Sequence, residues 1–227
     1  MSQTLAVIAE EVRSCTNCRL HQGTRNGVPG EGNPNAEILF VGEGPGFHED
    51  AQGKPFIGPA GKLLTEMLAR AGLKREDVFI TNIVKHRPPG NRDPMPDEIE
   101  ACGKFLDRQI AEIQPKLIVT LGRFSMMQFF GPDARITRVH ATTRPWRDIL
   151  AYACFHPAAA LHQPKYREML EQDFDGLPQA LEAARKRATE LARKTEALVV
   201  AGPGRAPSTA LDADEDDASA PSQLTMF

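Results

Sequence analysis

The residues with the greatest chemical reach are thiols and imidazoles. Cys15 and Cys18 stand three apart in Cys15-Thr16-Asn17-Cys18, and His86 and Cys102 follow far downstream. A C-x-x-C turn aims two sulfurs at one centre while distant chain supplies the other donors, which is how zinc and iron-sulfur clusters are held. Cys154 is either a rival ligand or a small buried hydrophobe. Two disulfides are the alternative. They are disfavoured because residues 1–13 carry acids where an export signal needs an apolar core. With no apolar run of about 18 residues, a soluble cytoplasmic protein without membrane partners is expected.

The elements that must position these donors follow from hydrophobic periodicity. Apolar strand runs at 36–42, 78–84, 116–121 and 148–155 alternate with helical patterns at 62–71, 97–113, 123–130 and 165–200, after an opening helix at 5–12 and a loop at 23–35. Short buried strands alternating with helices predict an α/β class fold, three-layer αβα around a central four-stranded parallel sheet. The 227 residues, 41% of them hydrophobic, suffice for one core. One domain over 1–200 is expected, followed by a Pro-, Ala-, Ser- and Asp-rich disordered tail over 201–227. In open parallel sheets ligands sit beyond the carboxyl ends of the strands. That rule gathers residues 42–46, 82–87, 122–125 and 156–162 at one rim.

The formal net charge of −3 is a property of the tail: five of the 30 acids lie in the last 22 residues, which hold no base, leaving 25 against 27 bases. A body so nearly neutral does not exclude a polyanionic partner, because a cleft needs only a few placed cations.

Gly42-Glu43-Gly44-Pro45-Gly46 after a strand suggests a phosphate loop, but neither a following Lys-Ser/Thr nor G-x-G-x-x-G spacing is present. The run gains meaning beside Glu49-Asp50, Gly53-Lys54-Pro55-Phe56-Ile57-Gly58, Thr81-Asn82-Ile83-Val84-Lys85, Arg87-Pro88-Pro89-Gly90-Asn91-Arg92 and His156-Pro157-Ala158-Ala159-Ala160-Leu161. With these motifs in this order, the chain closely resembles the family 4 uracil-DNA glycosylases, iron-sulfur enzymes of base excision repair.

The resemblance implies a monofunctional glycosylase that hydrolyses the N-glycosidic bond of deoxyuridine in DNA, releases uracil and leaves an abasic site. It implies a [4Fe-4S] cluster on Cys15, Cys18, His86 and Cys102, with His86 standing where the family has its third cysteine; zinc on the same residues is the alternative. The His-for-Cys change is shared with the UdgX-like group, which traps its product covalently through an inserted basic loop bearing a histidine. No such insertion lies between His86 and Cys102, so ordinary turnover is expected.

Roles carried over by the resemblance are specific. Phe56 stacks on the flipped base, Asn82 reads uracil O4 and N3–H, and His156 donates to uracil O2 as charge develops there. Glu43 and Glu49 are the two carboxylates available to orient water or offset charge on the sugar, Glu43 being preferred for the electrostatic part, and Gly42, Gly44 and Glu49 complete the base pocket. Each has a plainer reading: core phenylalanine, strand-end asparagine, structural histidine, and for Glu49-Asp50 a solvated acidic turn. Gly46 stands where other uracil glycosylases carry a tyrosine that excludes thymine's methyl. Lys54, Lys85, Arg87, Arg92 and Ser125 are expected to grip phosphates, and Leu161, assisted by His162, to wedge into the duplex.

The tail ends Gln223-Leu224-Thr225-Met226-Phe227, resembling peptides that bacterial sliding clamps accept. The expected partners are uracil-containing DNA and a clamp docked through Gln223, Leu224, Met226 and Phe227, with a monomer at the bacterial nucleoid. Two other functions share these residues: a clamp-tethered damage-binding module with weak catalysis, and a glycosylase for hypoxanthine or xanthine.

Overall fold

A computed structural model describes residues 2–201. The acidic tail and the expected clamp peptide, Gln223, Leu224, Met226 and Phe227, lie outside the described residues. Helix α1 (Gln3–Arg13) starts at Ser2, whose hydroxyl accepts the Leu5 N–H at 3.1 Å. Next come β1 (Glu31–Gly32), β2 (Ile38–Gly42), α2 (Phe47–Gln52), α3 (Pro59–Arg70) and β3 (Phe79–Asn82). The chain continues with α4 (Pro96–Ile113), β4 (Leu117–Leu121), α5 (Arg123–Phe130), α6 (Ile136–Val139), β5 (Thr143–Trp146) and β6 (Ile149–Cys154). It closes with α7 (Pro157–Ala160), α8 (Pro164–Asp175) and α9 (Leu177–Ala201).

The sheet runs β1-β3-β2-β4-β6-β5, with β3, β2, β4 and β6 parallel and the outer two antiparallel. The four central strands are those the sequence predicts, within a few residues at each end. The sequence reading lacks β1 and β5, for a physical reason. β1 is two residues long, and β5 is exposed and carries Pro145, so neither shows an apolar run.

Period-2 alternation divides the core into two layers. Ile38 and Phe40 face α3, α8 and α9 in a cluster with Leu64, Leu68, Leu170 and Phe174, whereas Leu39 and Val41 face α1, α4 and α5 with Ile8, Val12, Phe105 and Met126. Both layers are dry, which explains why the strands read as continuous apolar runs. Among the described residues no helix is long and apolar enough to cross a membrane.

One buried carboxylate fixes the end of β6. Asp173 in α8 is wholly buried; it accepts the Phe155 N–H at 2.7 Å and pairs with His140 Nδ1 at 2.7 Å, while its carbonyl accepts from the Tyr152 hydroxyl. Burial raises its carboxyl to about 6, against the hydrogen bonds from Phe155 and His140. Asp173→Ala leaves the Phe155 N–H without its partner and is expected to cost ~1–3 kcal/mol in urea unfolding. A change below a few tenths contradicts this anchoring role.

Candidate active site

Gly42 ends β2 in register with Asn82 at the end of β3, and the ladder continues as single bonds from Ile83 N–H to Gly42 O and Val84 N–H to Glu43 O. Asn82 is therefore held from both sides of its peptide, and its side chain projects at the carboxyl rim. A cavity of about 300 Å³ opens there, lined by Glu43, Glu49, Phe56, Asn82, Asn91 and His156, among others. The rim segment 122–125 lies behind His156 rather than on the cavity wall: a Cβ on Gly122 would stand 2.9 Å from that of His156.

The Asn82 side chain is 1% exposed, and its Oδ1 is the one acceptor among buried side-chain atoms of the described residues that lacks a hydrogen bond. A buried acceptor without a donor costs about 1–3 kcal/mol, so the site is built for a ligand N–H. Gly42 makes room for it. A Cβ at Gly42 would stand 2.4 Å from Asn82 Oδ1 and 2.6 Å from the Phe56 ring.

Phe56 adopts φ 49°, uncommon for a residue with a Cβ, and is 7% exposed. It is held there by close approach: a Cβ at Gly61 would stand 1.9 Å from the Phe56 carbonyl oxygen. Its ring lies 5.7 Å from that of His156. The phenylalanine is thus both core and pocket wall, and the two readings of it are compatible.

The Glu49 carboxylate accepts the Gly46 N–H at 3.1 Å and the Ile57 and Gly58 N–H groups at 2.9 Å each. It laces the loop before α2 to the loop carrying Phe56. Asp50, 6% exposed, accepts the Arg25 and Asn26 N–H groups. Half-buried Glu49 and buried Asp50 are accordingly acceptors for backbone N–H groups, not a solvated turn.

His156 precedes α7, and its Nδ1 accepts the Ala158 N–H at 3.1 Å. That bond puts the ring proton on Nε2. Burial holds the imidazole down to about 4, with Glu49 opposing, so the ring is neutral at ordinary pH. Glu43 is shifted the other way: burial, then repulsion from Asp93, raises it to about 7 against the pull of Arg123. The pocket thus disfavours charge on both groups.

Two expected phosphate contacts are corrected. Lys85 is wholly buried, and its ammonium donates to Thr81 Oγ1, Asn82 O and Gln109 Oε1 at 2.7–2.8 Å. Ser125 is wholly buried with its hydroxyl on Gly122 O. Both lie one side of a strand end away from solvent, a distinction invisible in charge alone. Arg92 lines the cavity but forks onto buried Glu98 at 2.7 and 2.8 Å, and exposed Lys54 pairs with Glu31 at 3.4 Å, off the cavity wall. Arg87 stays at the rim, its guanidinium 5.4 Å from the centre of the Phe47 ring and its Nε on Asn91 Oδ1. Leu161, 41% exposed, and exposed His162 follow α7.

Asn91 and Phe47 are rim residues that the sequence reading missed. Phe47 is 57% exposed directly after Gly46, and a large aromatic next to a glycine loop was an available signal.

The thiols gather on the far side of β3. Cys15 and Cys18 follow α1, and Cys102 on α4 accepts the Lys85 N–H at 3.2 Å. Burial pushes the Cys102 thiol up to about 11 against Lys85, with Cys18 and Cys15 near enough to add to the rise. His86 shares with Cys15 the wall of a cavity of about 160 Å³, and neither of its ring nitrogens is hydrogen-bonded among the described residues. Burial, then the neighbouring His21, holds His86 below its ordinary value against Asp50, which keeps a ligating lone pair free. Among the described residues no three His, Cys, Asp or Glu side chains close on a single ion. Cys154 is buried in β6 beside Tyr152 and Asp173, away from the other thiols.

The family model described as the Uracil DNA glycosylase superfamily matches residues 29–177. The Type-4 uracil-DNA glycosylase of Sulfurisphaera tokodaii is 52% identical over 180 residues, spanning 75% of this chain and 82% of that protein. Those of Saccharolobus solfataricus (50% over 186 residues; 78% and 86%) and Archaeoglobus fulgidus (49% over 180 residues; 76% and 90%) are similar to nearly the same extent.

The raised Glu43 carboxyl has a signature in stability. Below the ordinary carboxylate value both folded and unfolded chains bind the proton and Glu43 costs nothing; between that value and about 7 the unfolded chain ionises while the folded one stays protonated, so the cost builds across this window and is complete above it. Glu43→Gln is therefore expected to raise Tm over the native chain at pH 8 and to leave it nearly unchanged near pH 4, below the ordinary carboxylate value. Equal shifts at both pH values would contradict the burial effect.

Proposed function

The chain belongs to the uracil-DNA glycosylase superfamily, and we propose that it is a monofunctional uracil-DNA glycosylase that releases uracil from DNA by hydrolysis. The observation that carries this reading is the unpartnered Asn82 Oδ1 in a small aromatic-walled pocket. A pyrimidine with an N–H beside a carbonyl satisfies that amide: Oδ1 accepts from N3–H and Nδ2 donates to O4, whereas cytosine offers an amino group opposite the amide's own donor.

The reaction breaks the C1′–N1 bond, forms a C1′–O bond to water, and leaves the electron pair on uracil. His156 suits the leaving group because its Nε2–H is available to uracil O2, and a neutral donor is ready without prior protonation. Phe56 offers its face to the extruded base. Glu43, when ionised, opposes positive charge developing on the sugar and orients the water, whose second proton leaves to solvent. Glu49 holds the two loops that carry Glu43 and Phe56. Arg87 and the exposed Leu161 and His162 are the rim groups for DNA.

Cys15, Cys18, His86 and Cys102 are the residues that would hold a [4Fe-4S] cluster: Cys102 is buried, Cys15 and Cys18 are half-buried and near enough to raise its thiol, and the His86 ring nitrogens carry no hydrogen bond among the described residues. Its contribution when bound is a crosslink among the end of α1, the chain after β3, and α4. The UdgX-like link goes no further than His86, since residues 87–101 contain no histidine; turnover without a lasting protein-DNA bond is the proposed outcome.

With an oligonucleotide carrying one uracil, alkali-labile cleavage is expected after incubation, and Asn82→Ala and His156→Ala should each lose roughly 2–4 kcal/mol of transition-state stabilisation in single-turnover rates. An intact strand after alkali overturns the reading. For the metal, the purified protein is expected to contain iron and sulfide in equal amounts and a broad visible charge-transfer band that Cys102→Ser abolishes. A colourless protein containing zinc refutes the cluster.

A further inference from the structure

Lys85 is among the largest fully buried side chains, and a buried lysine needs a reason. Its ammonium has three protons and meets three acceptors: Thr81 Oγ1 at 2.7 Å, Asn82 O at 2.8 Å and Gln109 Oε1 at 2.8 Å. The remaining polar atoms of this network are also satisfied. Thr81 Oγ1 donates to Pro29 O, and Gln109 Nε2 donates to the same carbonyl. Burial lowers Lys85 to about 8, with Cys102 opposing, and three acceptors on its three protons hold it as a cation at neutral pH. Replacing such a network by apolar residues is often neutral for stability, so folding alone does not account for it.

Its position does. One acceptor of the ammonium is the carbonyl of Asn82, the residue whose side chain stands unpartnered in the pocket. The ammonium therefore sits on the Asn82 peptide itself, wholly buried from solvent, where charges are screened less than at the surface. The other charge-bearing side chains at the pocket are Glu43, Glu49, Arg92 and His156. His156 is neutral, Glu49 is spent on backbone N–H groups, Arg92 forks onto Glu98, and Glu43, raised to about 7, supplies negative charge if any, which leaves Lys85 as the free positive charge at the pocket among the described residues.

We propose that Lys85 is a positioning residue and fixed counter-charge: it locks the Asn82 peptide and supplies from beneath the pocket the positive potential that favours the base leaving as an anion. The inference rests on the glycosylase reading above.

The test uses the leaving group. Fluorine at C5 stabilises the departing anion itself, so release of 5-fluorouracil needs less from the protein than release of uracil. Lys85→Met should slow single-turnover release of uracil on the order of tenfold, below the roughly 10²–10³-fold loss of a direct donor, and slow 5-fluorouracil release several-fold less. Should Lys85→Met fail to fold, as judged by thermal melting, Gln109→Glu carries the same test. It keeps an acceptor on the ammonium while cancelling its field, and the same unequal loss is expected. Equal losses on both bases, or no loss in a folded variant, overturn the counter-charge. A native protein that releases neither base instead refutes the glycosylase reading, and the inference with it; a native protein that is active with equal losses leaves that reading intact.

Discussion

The site depends on one close approach, Gly42 against Asn82 at the carboxyl end of two parallel strands. In register there, the absence of a Cβ on Gly42 leaves space that the Asn82 amide and the Phe56 ring both occupy. A second such approach, Gly61 against the Phe56 carbonyl, holds Phe56 in its left-handed conformation. The pocket wall is thus formed by strand register and helix packing rather than by a mobile loop, which is the precision that recognition of a small planar base requires.

Desolvation then sets the chemistry. The same dry rim lowers His156 to about 4 and raises Glu43 to about 7, so it suppresses charge on acid and base alike. Beneath it, Lys85 keeps its charge because three acceptors surround it. A neutral imidazole and a carboxylate near its titration point line the pocket, and a buried ammonium with three acceptors sits on the Asn82 peptide.

Much of the fold was legible in the sequence. The four parallel strands carry unbroken apolar runs because both faces are covered, and the rim rule correctly joined Glu43, Asn82 and His156 from segments more than 30 residues apart. What failed was the direction of side chains. Lys85 and Ser125 look like phosphate contacts from type and neighbourhood, yet both are wholly buried. Residue type gives chemical capacity, whereas burial decides whether water or protein uses it.

By itself the sequence determined chemical capacity: which segments are apolar enough to be central strands, which glycines follow them, and which thiols and imidazoles are available, because periodicity and composition are local properties. The tertiary structure alone decided the rest. It left Asn82 Oδ1 without a donor, put the His156 proton on Nε2, raised Glu43 and buried the Lys85 ammonium under the pocket. Each of these arises from groups distant in sequence meeting in a region from which water is excluded, and no local pattern encodes that exclusion.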